Sequence, residues 1–329
     1  MFMKDLLLPE FWESKMREEV IFKFKTPYRE EISVKGYRFG HGKKMACFVA
    51  GLRGNEIQQM YVAALLIKRF RELEAKGLLS DDNEFLIIPC INPFSMNIGK
   101  RFWPVDNTDI NRMFPGYNLG ETTQRIAAAV FEKVRNYKYG IQFASFYLSG
   151  NFVPHVRLMN TGYQKPELAE KFGLPYVLVR EPTPIDTTTL NYNWQVFETE
   201  AFSVYTKATN YIDEESAMIA VNAVLRFLGS ENLIYAKTPV AYASQIVSEG
   251  DFLTVSATAG GLFKSAVSAG DEVTKGTVLA TILDPLTAEI KEKIFSPAEG
   301  IVFFAKESPM ITEHETVFFI NPNQILNEK

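Results

Sequence analysis

"MACFVAGLRGNE", residues 45–56, joins an apolar run to a turn bounded by glycines, and an amphipathic stretch over residues 57–79 follows at once. A short apolar run closed by turn residues is the pattern of a buried strand, and the stretch after it has the period of a helix. The alternation continues along the chain. FLIIPCI (85–91) leads into a polar loop, a helical pattern covers 122–136, and the runs YGIQFASFYL, VRLM, YVLVRE and FSVYT precede a last helical pattern over 214–228. Buried strands alternating with helices predict an α/β domain, with a mainly parallel mixed sheet flanked by helices on both faces. Ligands of such sheets lie at the carboxyl ends of the strands. Residues 51–56 and 92–101 both fall there.

Beyond residue 238 the pattern changes to short strands of period two, broken at Glu249-Gly250-Asp251, Ala259-Gly260-Gly261, Ala269-Gly270-Asp271 and Lys275-Gly276. This predicts two domains, an α/β unit over residues 1–235 and a smaller all-β unit over 236–329. The line "SAGDEVTKGTVLATILDP" is similar to the barrel-sandwich folds of biotinyl and lipoyl carriers. Carriers present a modified lysine in a Met-Lys or Asp-Lys hairpin, which "DPLTAEIKEKIF" lacks. Lys291 and Lys293 therefore read as surface charges, and no attached cofactor is expected.

Composition narrows the classes of function. With 329 residues, 47% of them hydrophobic and 22% charged, the chain can bury a sizeable core without staples. A net charge of -4 supplies no basic stripe, so no nucleic-acid partner is expected. The start, MFMKDLLLPEFWESK, is too acidic and its apolar part too short for a signal peptide. No run approaches the ~20 apolar residues of a membrane span, so no membrane partner is expected and a cytoplasmic location is the default. Cys47 and Cys90 lie in apolar runs and read as buried thiols.

The loop "NPFSMNIGKRFWPVDNTDINRMFPG", residues 92–116, carries Asn92-Pro93, Arg101, Asp109, Asn111-Arg112 and Phe114-Pro115-Gly116. Together with GLRGNE and the β-rich tail, it resembles the succinylglutamate desuccinylase/aspartoacylase family, which has a zinc carboxypeptidase-like fold. The resemblance implies a zinc held by two histidines and a glutamate, with a water at its open position. A separate glutamate acts as general base, and arginine and asparagine side chains hold the substrate. An open-sited zinc lowers its water's pKa to roughly 7, and a guanidinium fork suits a carboxylate. By match, Arg101 stands on the oxyanion side, and Asn111 with Arg112 forms a carboxylate clamp. Phe102 and Trp103 read as wall or core.

The metal half departs from that pattern. Arg53 occupies the first ligand position, and a guanidinium has no lone pair to give. Glu56 is the retained ligand. In "ASFYLSGNFVPHVRL" either Tyr147 or Leu148 is expected at the second histidine, and in "FSVYTKAT" Tyr205 and Lys207 stand where the base belongs. Of the histidines, His41 reads as a hairpin turn residue, His314 falls in the β unit, and His155 alone is expected near the pocket. Two readings of the charged residues are open. Arg53 and Glu56 are either loop charges or an ion pair on the pocket floor, and Arg101, Asn111 and Arg112 either bind an anion or form an internal bridge with Asp109.

The reading that follows is a zinc-free, degenerate hydrolase site that keeps a carboxylate pocket, with Arg53 joining Asn111 and Arg112 in holding a small carboxylate or acyl amino acid. Such a protein would bind or regulate. An amidohydrolase of N-acyl amino acids with an altered zinc site, and a structural or homo-oligomeric interaction protein, are the alternatives.

Overall fold

The computed structural model describes residues 15–26, 31–80, 82–146, 148–238 and 241–322. Its first ten strands are β1 (Arg17–Lys25), β2 (Glu31–Phe39), β3 (Lys43–Val49), β4 (Asn83–Ile88), β5 (Tyr139–Ala144), β6 (Gly150–Phe152), β7 (His155–Met159), β8 (Tyr176–Arg180), β9 (Glu200–Tyr205) and β10 (Gln245–Ser248). All but β6 form one sheet in the order β1-β2-β4-β3-β5-β9-β7-β8-β10. The β3/β4, β3/β5, β5/β9, β7/β8 and β8/β10 pairs are parallel. The β1/β2, β2/β4 and β7/β9 pairs are antiparallel. This is the mainly parallel mixed sheet that the alternating pattern predicts.

The helices are α1 (Ile57–Ala75), α2 (Pro93–Asn97), α3 (Thr122–Val134), α4 (Pro166–Ala169), α5 (Leu190–Val196) and α6 (Glu214–Ser230). They explain why β3 is apolar from Met45 to Val49, after its exposed first residues Lys43 and Lys44. Its side chains alternate between two cores: Ala46 and Phe48 pack with Phe70 of α1 and Phe227 of α6, while Cys47 and Val49 pack with Val130 of α3 and Trp194 of α5. A strand buried on both faces cannot show polar alternation. Each large side chain so buried contributes about 1.5–3 kcal/mol. Burial also pushes the Cys47 thiol well above its ordinary pKa and the Cys90 thiol to about 12, which holds both in the unreactive protonated form. No helix of the described residues is long and apolar enough to cross a membrane.

The turn from β3 into α1 depends on its glycines. Gly51 has φ +60, and a Cβ there would stand 2.9 Å from the Cys90 Cα. A Cβ on Gly54 would come within 2.3 Å of the Lys100 carbonyl oxygen. The turn is thus pressed onto the loop that follows β4, and only glycine allows so close an approach.

The C-terminal unit consists of two antiparallel sheets, built on Gly300–Lys306 with Thr316–Asn321 and on Gly261–Ser265 with Val278–Leu283. The separation expected at residue 235 is not the one the sheets make. β10, beyond that position, is the last strand of the large sheet, and β6, well before it, pairs with Gly300–Lys306. The two units exchange strands because a shared apolar cluster lies between them, with Phe152, Tyr176 and Leu178 against Phe303 and Phe304. Pattern in the sequence marks a change of fold type, not the partner of each edge.

Candidate functional site

Glu56 ends the β3–α1 turn and is fully buried. Its Oε2 accepts hydrogen bonds from the backbone N–H groups of Leu52 (2.9 Å) and Arg53 (3.3 Å). Its Oε1 accepts from Ser145 Oγ at 2.6 Å and from Arg53 Nη1 at 3.2 Å. Arg53, 5% exposed, turns the rest of its guanidinium to Asp109, donating to Oδ2 from Nη2 at 2.9 Å and from Nε at 3.1 Å. Asp109 is held in turn by the Asn111 N–H, 3.0 Å from Oδ1. Burial works against the charge on Arg53, but Glu56 and Asp109 outweigh it and raise the guanidinium pKa. The turn and the 92–116 loop are therefore joined by a buried Glu56–Arg53–Asp109 bridge.

The strand that faces this bridge is β5, and it ends at Ala144. The next residue, Ser145, bonds to Glu56. Of the residues expected here, Tyr147 lies outside the described residues, and Leu148 lines a smaller neighbouring cavity with Asn55 and Arg101. The apolar run of the sequence continues past the end of the strand. The polar Ser145 is the signal that marks its end.

Tyr205, the last residue of β9, lines a cavity together with Arg53, Asp109 and Ser145, and Lys207 is not among its lining residues. The Tyr205 ring stacks on His155, centroids 4.8 Å apart and planes 6° apart. His155 is fully buried beneath it and does not line the cavity; its Nδ1 donates to the Val153 carbonyl at 2.8 Å. Burial, with the charge of Arg157 beside it, pushes its pKa down to about 3, so the ring is neutral. His41 is exposed in the turn between β2 and β3, strands that do not pair with each other, and His314 is exposed in the C-terminal unit.

The cavity of about 250 Å³ lies against the carboxyl ends of β5 and β9 and against β7 and β8, which run opposite to β9, and five arginines line it against two aspartates: Arg53, Arg101, Arg112, Arg157 and Arg180, with Asp109 and Asp186. Two of the five share one carboxylate. Arg112 donates to Asp186 Oδ1 at 3.1 Å and to the Ile185 carbonyl at 2.8 Å, and Arg180 Nη2 lies 3.0 Å from Asp186 Oδ2. Burial raises the Asp186 pKa, but hydrogen bonds from Thr183, with Arg112 and Arg180, bring it below the usual range. Arg112, expected in the carboxylate clamp, is thus paired within the protein through its Nη1. The internal bridge expected as an alternative exists, with Asp186 in place of Asp109.

Other donors in the wall are open to a ligand. Arg101 reaches the Phe146 carbonyl at 3.5 Å and lies over the Phe102 ring, with no carboxylate partner among the described residues. Burial first, then the charges of Arg53 and Arg112, lower its pKa. Asn111 accepts the Leu190 N–H on its side-chain oxygen and lines the cavity. Arg157 and Arg180 are cavity residues that motif reading missed. They enter from β7 and β8, where apolar strand runs gave no motif to mark them.

The zinc that the resemblance implies does not fit this donor set. Glu56 already accepts four hydrogen bonds, the nearest neighbours are a guanidinium and a serine hydroxyl, and His155 lies behind Tyr205. Among the described residues, no group of three or more His, Cys, Asp or Glu side chains is placed to hold a metal ion. A catalytic zinc takes about three protein ligands, and a cation beside Arg53 would be repelled.

Known proteins bear on this geometry. The chain is 23% identical over 257 residues to an N-alpha-acetyl-L-2,4-diaminobutyric acid deacetylase of Halomonas elongata, covering 73% of this chain and 70% of that protein. It superposes on a succinylglutamatedesuccinylase/aspartoacylase from Rhodobacter sphaeroides with a TM-score of 0.75 and 18% identity, covering 93% of this chain and 95% of that one. A product-bound structure of the ectoine utilization protein EutE (DoeB) from Ruegeria pomeroyi gives a TM-score of 0.74 at 17% identity, covering 93% and 94%. These likenesses confirm the fold. The pattern of the succinylglutamate desuccinylase/aspartoacylase catalytic domain matches residues 42–228, more than half of the chain, and the chain therefore belongs to that family.

Proposed function

We propose that this chain binds a small carboxylate, such as an acyl amino acid, in a family pocket that no longer uses zinc. The observation that carries the reading is the position of the Arg53 guanidinium, 3.2 Å from Glu56 and 2.9 Å from Asp109. It supplies positive charge to the pocket floor without offering a ligand position to a metal or a Lewis acid to a substrate. Arg101 and the NH2 group of Asn111 then receive the ligand's carboxylate. A planar guanidinium with no internal carboxylate is suited to that task. The relative named as a deacetylase acts on an N-acetylated amino acid, which supports a ligand of the same general type.

Calorimetric titration with N-acetyl amino acids and simple carboxylates, on wild type and on Arg101→Gln, tests the proposal. Binding to wild type and a loss of tenfold or more in the variant are expected, about the value of one charge-assisted contact. Equal binding by both proteins would overturn it.

A further inference from the structure

Arg157 stands in the middle of β7, between β8 and β9, and is 5% exposed. Its cross-strand neighbours are Leu178 on β8 and Ser203 on β9, neither of which is charged. Its guanidinium is held between two rings, 4.6 Å from the centroid of Phe146 and 4.4 Å from that of Tyr205. Among the described residues it forms no ion pair, and its buried Nε has no hydrogen-bond partner. A buried cation without a counterion costs several kcal/mol, and stacking on aromatic faces, worth about 2 kcal/mol or more per ring where water is excluded, offsets part of it without pairing the Nε. The remainder can be supplied from the cavity that Arg157 lines.

The position of Arg101 says what would supply it. Arg101 donates to the backbone carbonyl of Phe146, and Arg157 lies over the ring of the same residue. Two guanidinium groups without carboxylate partners among the described residues thus line one cavity, and both touch Phe146. An anion that satisfied only Arg101 would leave Arg157 unpaired.

Resting on the proposed carboxylate-binding reading, we infer that Arg157 forms a second anion subsite, so that the pocket takes a ligand with two acidic groups joined by a short spacer. The Phe146 and Tyr205 rings fix the guanidinium, and the second acidic group meets its free N–H edge. That group is a carboxylate or a phosphoryl group, since both match a guanidinium fork.

Calorimetry on the full chain with glutarate, the monoamide of glutarate and 3-phosphonopropionate decides the matter, using wild type, Arg101→Gln and Arg157→Gln. Wild type should bind glutarate about tenfold or more tighter than its monoamide. Arg157→Gln should abolish that preference while leaving monoamide binding unchanged, and Arg101→Gln should weaken both ligands. Tighter binding of 3-phosphonopropionate than of glutarate assigns the second group as phosphoryl, and the reverse assigns it as carboxylate. If Arg157→Gln does not fold, Arg157→Met keeps the contact with both rings and should likewise lose the preference. A variant that keeps the wild-type preference, or that weakens acid and monoamide equally, overturns the subsite. If Arg101→Gln changes neither ligand, or no probe binds wild type, the carboxylate-binding reading itself fails.

Discussion

Arg53 and Glu56 form a buried ion pair, Nη1 to Oε1 3.2 Å, three residues apart in one turn. Breaking such a pair from one side leaves a buried charge uncompensated, which is worse than never having had the pair. The turn is therefore committed to its arginine. Reverting it toward the family pattern should do harm.

Arg53→His is accordingly expected to destabilise the protein by about 3–5 kcal/mol in urea unfolding near neutral pH, because Glu56 and Asp109 lose their shared cation. The variant should also bind no stoichiometric zinc. It would offer one imidazole beside Glu56, while the β5 end still presents Ser145. Elemental analysis after dialysis checks this, and one retained zinc per chain would count against the assignment of the site.

Hydrolysis of N-acetyl or N-succinyl amino acids by wild type should lie far below the common turnover range of about 1–1000 per second. The resemblance puts Arg53 at a metal-ligand position and Tyr205 with Lys207 where the base belongs, and each function contributes orders of magnitude in rate. Amine release followed under saturating substrate measures it.

His155 predicts a pH dependence whose sign follows from its buried, neutral state. Its folded pKa is lowered from 6.5 to about 3. Between those values the unfolded chain holds the proton and the folded chain does not, so acid favours unfolding. Stability should be independent of this group above pH ~6.5 and fall by up to about 1.4 kcal/mol per pH unit below it. Urea midpoints from pH 7 to pH 4.5 should drop more steeply for wild type than for His155→Gln.

Gly54→Ala probes the fit between the two loops. A Cβ there would meet the Lys100 carbonyl oxygen at 2.3 Å and the Ser95 carbonyl carbon at 2.3 Å. Both are backbone atoms and cannot swing away. Overpacking of this kind costs about 1–3 kcal/mol or more, read as a lower thermal midpoint, and anion affinity should fall with it because Arg53 rides on the same turn.

The sequence by itself determined the layered sheet, because strand segments buried on both faces must be apolar at every position, as residues 46–49 of β3 are with Phe48 turned to one core and Val49 to the other. It also set Arg53, which the resemblance puts at a histidine position, and it carried the 92–116 motif that brings Asp109, Arg101 and Asn111 to the cavity. Tertiary structure alone decided the pairings. Arg53 and Asp109 are 56 residues apart, Arg112 meets Asp186 at a separation of 74, and no local pattern encodes either distance. The end of β5 at Ala144, which places Ser145 against Glu56, was set by where the sheet stops and not by where the apolar run stops. Arg157 is the clearest case. Periodicity places it on a strand face, but whether a buried arginine on that face meets a carboxylate, a ring or an open cavity depends on which loops converge there, and that is decided only when the chain is folded.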